Sequence, residues 1–285
     1  MNENNKKFAT TELICSATIE LLYDKLNSLP KTSNLRKEFL VIAQNVLKEA
    51  NPQTEYNGRL AQHIWAIDKM LGRNPEYYSE AGQDKFIKKE FFSHKTDGVF
   101  VDIGGYDGQT SSNTLYFEKF GGWSGLCIEP VPKFYELMSG IRNSVCLNVA
   151  VADYNGEGPF LEINKGLDQM GGLIATFRND LLKIIKDQGS ESRQINVPVR
   201  TFQSIISGQD LTHIDYCSID VEGAEILVLK GIDFTKSNIS VFSIENPASP
   251  GSNQNMVRGF MENEGYKLVK SIGEDDIFAK ATLLG

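Results

Sequence analysis

The chain has 285 residues, of which 41% are hydrophobic and 23% charged, and a formal net charge of −8. That is enough apolar sequence for a full core, and enough length for one large domain or one domain plus a smaller appendage. The negative balance argues against a general affinity for nucleic acid or an anionic membrane, and no apolar run is long enough to span a bilayer.

Residues 1–7 are polar and no apolar stretch behind them resembles a signal peptide, so a cytoplasmic protein is expected. Residues 10–29 have helical periodicity, with Leu13, Ile14, Ala17, Leu21 and Leu22 on one side, Thr10 or Thr11 as cap and Pro30 as terminator. Residues 34–50 repeat the pattern through Phe39, Ile42, Ala43, Val46 and Leu47 until Asn51-Pro52 breaks it, and 60–71 form a third helix. Residues 1–78 therefore read as an α-helical appendage, and 79–285 as the domain that follows.

A short helix over 83–92 leads into an α/β region. Its first strand is 99–103, followed by a helix over about 111–120, a second strand at 126–129, a helix at 133–142 and a third strand at 145–150. Next come a strand at 158–163, a flexible loop at 166–172, a brief helix at 181–187, an alternating strand at 193–200 and a helical turn at 201–206. A fourth strand, 216–221, is backed by a helix at 224–230; a fifth strand is 240–244, and a helix over 254–264 ends at Gly265. Two final strands, 266–271 and 276–281, are joined by Gly273. A parallel series closed by a terminal hairpin predicts a Rossmann-like α/β fold with a seven-stranded sheet. Of the cysteines, none forms a C-x-x-C pair, so neither zinc nor redox chemistry is indicated; Cys127, Cys146 and Cys217 lie in apolar runs and read as small buried hydrophobes.

The most informative stretch is V-F-V-D-I-G-G-Y-D-G-Q-T, residues 99–110, followed by a second apolar run that ends in Glu129. Strand, glycine turn, helix, strand and acid is the plan of a nucleotide-binding half-fold, in which the acid takes a ribose hydroxyl pair. A dinucleotide fingerprint would need glycine at position 103, which is Ile103, and Asp102 and Asp107 would repel a pyrophosphate. S-adenosylmethionine carries a sulfonium and an ammonium in place of phosphate, and acids near the turn favour it.

Ligands of open α/β sheets bind beyond the carboxyl ends of the strands. Those ends present Asp102 and Gly104, Glu129, Asn148 and Ala150, Asp220 and Glu222, and Glu245 and Asn246. In the segment D-V-E-G-A-E, Asp220 closes an apolar strand and a glycine permits a sharp exit; Glu225 reads as a helix-dipole cap.

At these residues the chain resembles the FkbM family of S-adenosylmethionine-dependent methyltransferases. The likeness rests on residues 99–113, on C-I-E-P at 127–130, on N-V-A-V-A-D at 148–153, and above all on I-D-Y-C-S-I-D-V-E-G-A-E-I-L-V-L-K-G at 214–231. It runs from about residue 81 to the carboxyl terminus, leaving out the helical appendage. It implies a donor cradle at Asp102, Gly104, Gly105 and Asp107, Glu129 on the ribose, and Gln83 of a G-Q-D segment near the donor's methionine end. Tyr106, Asn113, Pro130, Asn148, Ala150 and Asp220 complete the expected donor contacts. Gly105-Tyr106 departs from the alanine and asparagine of many members. The family mostly methylates hydroxyl oxygens of sugars and natural products, with some members acting on nitrogen.

Transfer of a sulfonium methyl requires an aligned acceptor and a base for its proton. His94 and His213 precede strands, at the wrong end of the sheet, so Asp220, Glu222 and Glu245 are the candidate catalytic residues. Asp220, Glu245 and Asn246 are also the candidate ligands for an Mg²⁺ that would hold and acidify the acceptor. Gln169 and Arg178 or Arg193 are candidates to contact the acceptor. The expected partner is a small-molecule, sugar or glycan acceptor, with no nucleic acid or membrane, and a homo-oligomer stays open. Two other readings are a nicotinamide-dependent oxidoreductase, which Ile103 opposes, and a non-catalytic adaptor that docks through its amino-terminal helices.

Overall fold

A computed structural model describes residues 34–49, 59–165, 167–177, 179–247 and 254–284. The predicted helix over 10–29, the Asn51-Pro52 break and Arg178 lie outside them. Helices α1 (Asn34–Glu49) and α2 (Arg59–Met70) come first, then α3 (Gln83–Glu90), β1 (Val99–Ile103), α4 (Leu115–Gly121), β2 (Ser124–Ile128), α5 (Pro132–Ile141) and β3 (Val145–Leu147). The chain continues through β4 (Ala150–Ala152), β5 (Gly156–Lys165), β6 (Gly172–Leu173), α6 (Asn179–Asp187), β7 (Glu191–Thr201) and α7 (Phe202–Gly208). It closes with β8 (His213–Ile219), α8 (Glu225–Lys230), β9 (Asn238–Glu245), α9 (Gln254–Asn263), β10 (Tyr266–Ile272) and β11 (Asp275–Lys280).

The large sheet has the seven strands expected, in the order β10-β11-β9-β8-β1-β2-β3. The strands from β3 to β9 pair in parallel, and the β10–β11 hairpin joins antiparallel at the β9 edge. Central strands are apolar on both faces because both faces are covered. Val101 and Ile103 of β1 pack with Val228 and Leu229 of α8 and Val257 of α9, while Phe100 packs the other way with Ile87, Phe117 and Met138. Chain order reverses at β1, which lies between β2 and β8; this is the switch point where an open sheet leaves a crevice.

The strand predicted over 145–150 divides between two sheets. The Leu147 carbonyl accepts from the Glu129 amide, and Asn148 then turns its side-chain amide onto the Glu129 and Pro130 carbonyls at 2.8 and 3.0 Å. The chain leaves the large sheet there, and β4 joins a four-stranded sheet ordered β4-β7-β5-β6. Its apolar face gathers Phe160, Leu173, Val197 and Val199 over Val131, Phe134 and Ala224. The loop predicted over 166–172 accordingly ends in the short strand β6. The helix predicted from 111 starts at Leu115, because Ser112 Oγ accepts from the Thr114 and Leu115 amides and holds the preceding residues in a turn.

Helices α1 and α2 pack together, with Gln44 Nε2 donating to Asp68 Oδ1 at 2.7 Å. Trp65 then anchors α2 to the α/β region by donating to the Ser79 carbonyl at 2.9 Å. Among the described residues no helix is long and apolar enough to cross a membrane.

Candidate active site

A cavity of about 740 Å³ opens at the carboxyl ends of β1, β2, β8 and β9, bounded by Phe160 and Leu173 of the second sheet and by Ala66 of α2. Its volume is that of a small-molecule site. The glycine turn forms one wall. The Gly104 and Gly105 amides both donate to the Ile128 carbonyl, at 2.9 and 3.0 Å, so the turn is tied to β2. Gly104 has φ 87°, and a Cβ there would lie 1.7 Å from the Asp220 carbonyl oxygen. The glycine is therefore demanded by the meeting of β1 with the chain leaving β8.

Glu129 is buried at the end of the turn's far wall. Its Oε2 accepts from the Tyr106 amide at 3.0 Å and its Oε1 from the Val131 amide at 2.8 Å. Two backbone donors hold the carboxylate rigid, and each oxygen keeps a further lone pair for a ligand. Burial pushes its pKa up from 4.5 to about 8. Tyr106 takes a left-handed φ of 47°, packs its ring on Phe134 and donates its hydroxyl to Asp168 Oδ1 at 2.9 Å. Tyr106 thus lines the cavity despite departing from the family pattern.

Asp102 also lines the cavity, but its carboxylate is committed to the protein. Thr114 Oγ1 donates to it, and Arg142 Nη1 stands 3.5 Å away. Burial outweighs Arg142 and keeps the Asp102 pKa raised. Arg142, itself 5% exposed, also donates to Glu118, to Ser112 Oγ and to the Gly108 carbonyl. It braces the turn from beneath, a role that nothing local in the sequence announces.

On the opposite wall, ligand atoms of Asp220, Glu222 and Glu245 lie within 4.8 Å of one another. Asp220 faces the open cavity and is exposed to it, although protein surrounds the cavity on most sides. That enclosure, followed by the Glu222 charge, holds the pKa values of Asp220 and Glu245 well above the usual carboxylate range. Asp275 stands nearby, pushed up to about 7 by burial, and accepts from Asn113 Nδ2 at 3.1 Å. Asn113 Nδ2 also reaches Ser218 Oγ at 3.1 Å, while its buried Oδ1 has no partner. Gln83 is oriented by the Ala81 amide, which donates to its Oε1 at 2.9 Å.

Of the residues singled out in the sequence, Gln83, Gly104, Gly105, Pro130, Ala150 and Gln169 line this cavity together with those already described. Four other residues singled out in the sequence do not line it. Asp107 lies outside the cavity, because its carboxylate accepts from the Gln109 and Thr110 amides and closes an exposed turn of its own. Asn148 sits behind the wall, holding the backbone at Glu129 and Pro130. Asn246 does not line the cavity and donates its side-chain amide to Asp276 Oδ2 at 2.8 Å; the third carboxylate beside Asp220 and Glu245 is Glu222. Arg193 pairs with Glu162 at 2.6 Å and does not line the cavity. His213 is spent on Asp215 and Asn238 at the amino end of β8. Glu225 is the first residue of α8 and accepts from the Gly223 amide at 2.9 Å; the helix itself has no side-chain cap. Glu80, Asp168, Ser218, Glu274 and Asp275 also line it and were not foreseen: Asp168 lies on a loop and Glu274 and Asp275 on the added hairpin with no motif around them, while Ser218 sits inside β8, where the block at 214–231 gave it no role of its own.

These raised carboxylates have a consequence for stability. Each holds a proton in the folded chain at a pH where the unfolded chain has released it, so folding weakens as pH rises through that interval. Melting temperatures of the ligand-free protein should fall between about pH 5 and about pH 7, with Glu129, Asp220, Glu245 and Asp275 contributing. Glu129→Gln, which keeps the neutral form's shape, should flatten part of the slope; a rising melting temperature over this range would contradict these environments.

The sequence matches the family model described as the methyltransferase FkbM domain over residues 102–268, more than half of the chain. No curated protein matches it. Among solved structures it is similar to a methyltransferase FkbM from Methylobacillus flagellatus, 13% identical over 84% of this chain and 58% of that one, with a TM-score of 0.43. The chain thus spans less than two thirds of that protein. It is also similar to a methyltransferase from Pyrococcus furiosus, 17% identical over 78% of this chain and 98% of that one, TM-score 0.35.

Proposed function

The chain belongs to the FkbM methyltransferase family, and from that premise we propose that it transfers a methyl group from S-adenosylmethionine to a hydroxyl of a sugar, glycan or other natural product. The observation that carries the donor assignment is Glu129, a buried carboxylate fixed by two backbone amides at the cavity wall, with oxygen lone pairs left for two ribose hydroxyls. The acids of the opposite wall suit a donor with a sulfonium and an ammonium, and oppose the pyrophosphate of a nicotinamide dinucleotide. The unpartnered Asn113 Oδ1 offers an acceptor for the donor's ammonium. When bound, S-adenosylmethionine supplies an electrophilic methyl.

The chain's own residues then have three tasks. The glycine turn and Glu129 orient the donor, and Phe134, Phe160 and Leu173 keep water from the transfer path. Asp220 or Glu245 takes the proton from the acceptor hydroxyl as it attacks; a carboxylate with a raised pKa is a stronger base than an ordinary one, provided it is ionised. Asp220, Glu222 and Glu245 could alternatively share a divalent cation such as Mg²⁺ that acidifies the hydroxyl. The proposed catalytic unit is 79–285, with 1–78 as an appendage whose α2 reaches the cavity rim through Ala66. A cytoplasmic location accords with the free thiols of Cys127, Cys146 and Cys217.

The test is calorimetry with S-adenosylhomocysteine. At a pH above about 8, where Glu129 is ionised, Glu129→Ala removes a charged hydrogen-bond acceptor, a loss of about 1.5–3 kcal/mol, so affinity should fall about tenfold to a hundredfold. Unchanged affinity in a folded Glu129→Ala protein would sink the donor assignment.

A further inference from the structure

We propose that Cys146 and Cys127 form a site of reversible oxidation, at which a hydroperoxide converts Cys146 to a sulfenic acid and Cys127 then closes an intrachain disulfide. The first ground is register. β2 and β3 pair in parallel with Cys127 directly opposite Cys146, and both side chains pack against the same apolar cluster, so they lie on one face of the sheet. Neighbouring strands run about 4.8 Å apart, which falls inside the Cα separation of about 4.4–6.8 Å that a disulfide spans. The two thiols are hydrogen-bonded to each other. Cys217 is no rival partner, because it packs on the opposite face of the sheet with Val101 and Ile103.

The second ground is that the two sulfurs differ in environment. Cys127 is fully buried, whereas Cys146 is half-buried on β3, the last strand of the large sheet, where a small oxidant has access. The Cys127 thiol donates to the Cys146 sulfur; with a hydrogen bond from Ser139 and the charge of Arg142 it outweighs burial and the Glu118 charge, and brings the Cys146 pKa down to about 7. The same hydrogen bond, followed by burial and the Asp102 charge, holds Cys127 well above the ordinary thiol range against Arg142. The Ser144 carbonyl, 3.5 Å from Cys146 Sγ, accepts a hydrogen bond only while that thiol is protonated. An accessible thiolate next to a protonated thiol is the arrangement of a peroxide-sensitive pair. The expectation of small buried hydrophobes thus holds for Cys127 and Cys217 and not for Cys146.

The chemistry balances with a hydroperoxide such as hydrogen peroxide as the one co-reactant. The Cys146 thiolate attacks one peroxide oxygen; an S–O bond forms, the O–O bond breaks, and the departing hydroxide takes a proton from water. The Cys127 sulfur then attacks the sulfenic sulfur. An S–S bond forms, the S–O bond breaks, and the hydroxyl leaves as water with the Cys127 proton. Together the two sulfurs lose two electrons, and the peroxide gains them. A disulfide needs its Cβ atoms about 3.5–4.5 Å apart, closer than the strand spacing, so the bond is strained and readily reduced by a dithiol.

The test is hydrogen peroxide applied to the reduced, full-length protein, followed by alkylation, tryptic digestion without reductant and mass spectrometry. Lys133 and Arg142 lie between the two cysteines, so trypsin separates them unless they are joined. The intact mass should fall by two hydrogens, a peptide linking Cys127 to Cys146 should appear, and dithiothreitol should reverse both changes. Before oxidation, iodoacetamide should label Cys146 in the folded protein at least tenfold faster than Cys127 or Cys217. Cys127→Ser should trap Cys146 as a sulfenic acid that dimedone labels, with Cys127→Ala serving if the serine variant does not fold; Cys146→Ser should abolish the linked peptide and leave Cys127 unoxidised at the same peroxide dose. The proposal is overturned if Cys146 stays a thiol under peroxide, if it passes to the sulfinic acid while Cys127 remains free, or if its disulfide partner is Cys15, Cys217 or a second chain. None of these outcomes depends on the methyltransferase reading.

Discussion

Arg142→Ala should destabilise the protein by about 3–5 kcal/mol, the usual cost of leaving buried charges without their partner. The guanidinium stands 3.5 Å from Asp102 and 3.2 Å from Glu118, and both of those carboxylates are buried. It also donates to Thr114 Oγ1 at 2.8 Å and to the Gly108 carbonyl at 3.2 Å, so one side chain joins β1, the glycine turn and α4. Its removal leaves Asp102 with Thr114 alone against a desolvation cost that already keeps its pKa raised. Urea unfolding measures the loss, and the defect should lessen at low pH as the orphaned carboxylates take up protons. A loss under about 1 kcal/mol would mean that the network is solvated and does not support the turn.

Asp220→Asn should slow turnover by about a hundredfold or more, the scale of a lost general base, while S-adenosylhomocysteine affinity stays within a few-fold. The substitution keeps size and hydrogen bonding and removes only charge. Because Asp220 meets β1 and the Gly104 turn through its backbone amide and carbonyl, which the substitution keeps, the fold should be retained. The neighbouring acids make two versions separable. If Asp220, Glu222 and Glu245 hold a cation, EDTA should abolish turnover and Mg²⁺ or Mn²⁺ should restore it. Full activity in EDTA leaves the carboxylate base. Full activity of both Asp220→Asn and Glu245→Gln would discard base and cation together, leaving orientation as the source of the rate.

One prediction concerns a residue beneath the glycine turn and the other a residue of the opposite wall, and they differ in how they could be found. Asp220 announces itself: an acid closing an apolar strand, followed by glycine and a helix, lies at the carboxyl edge of a parallel sheet wherever that sheet is built. The same local logic located β1, the glycine turn, Glu129 and the final hairpin, because apolar periodicity and turn chemistry depend on neighbours a few residues away. Arg142 gives no such sign. It reads as the last residue of a helix, and only the packing of α5 beneath the turn gives it five polar partners.

What the sequence by itself determined, then, was the order of the layers, the seven-stranded sheet and the edge at which the cavity opens, since binary pattern and glycine positions are local properties. What only the tertiary structure decided was which polar side chains remain available there. Asp107 was consumed by its own turn, Asn246 by Asp276, and Asn148 by the backbone that sends β4 into a second sheet. Asn113 was joined to Asp275 across 162 residues. A hydrogen bond satisfied inside the protein withdraws a group from ligand binding, and whether a partner comes within about 3 Å is settled by chain segments far apart in sequence.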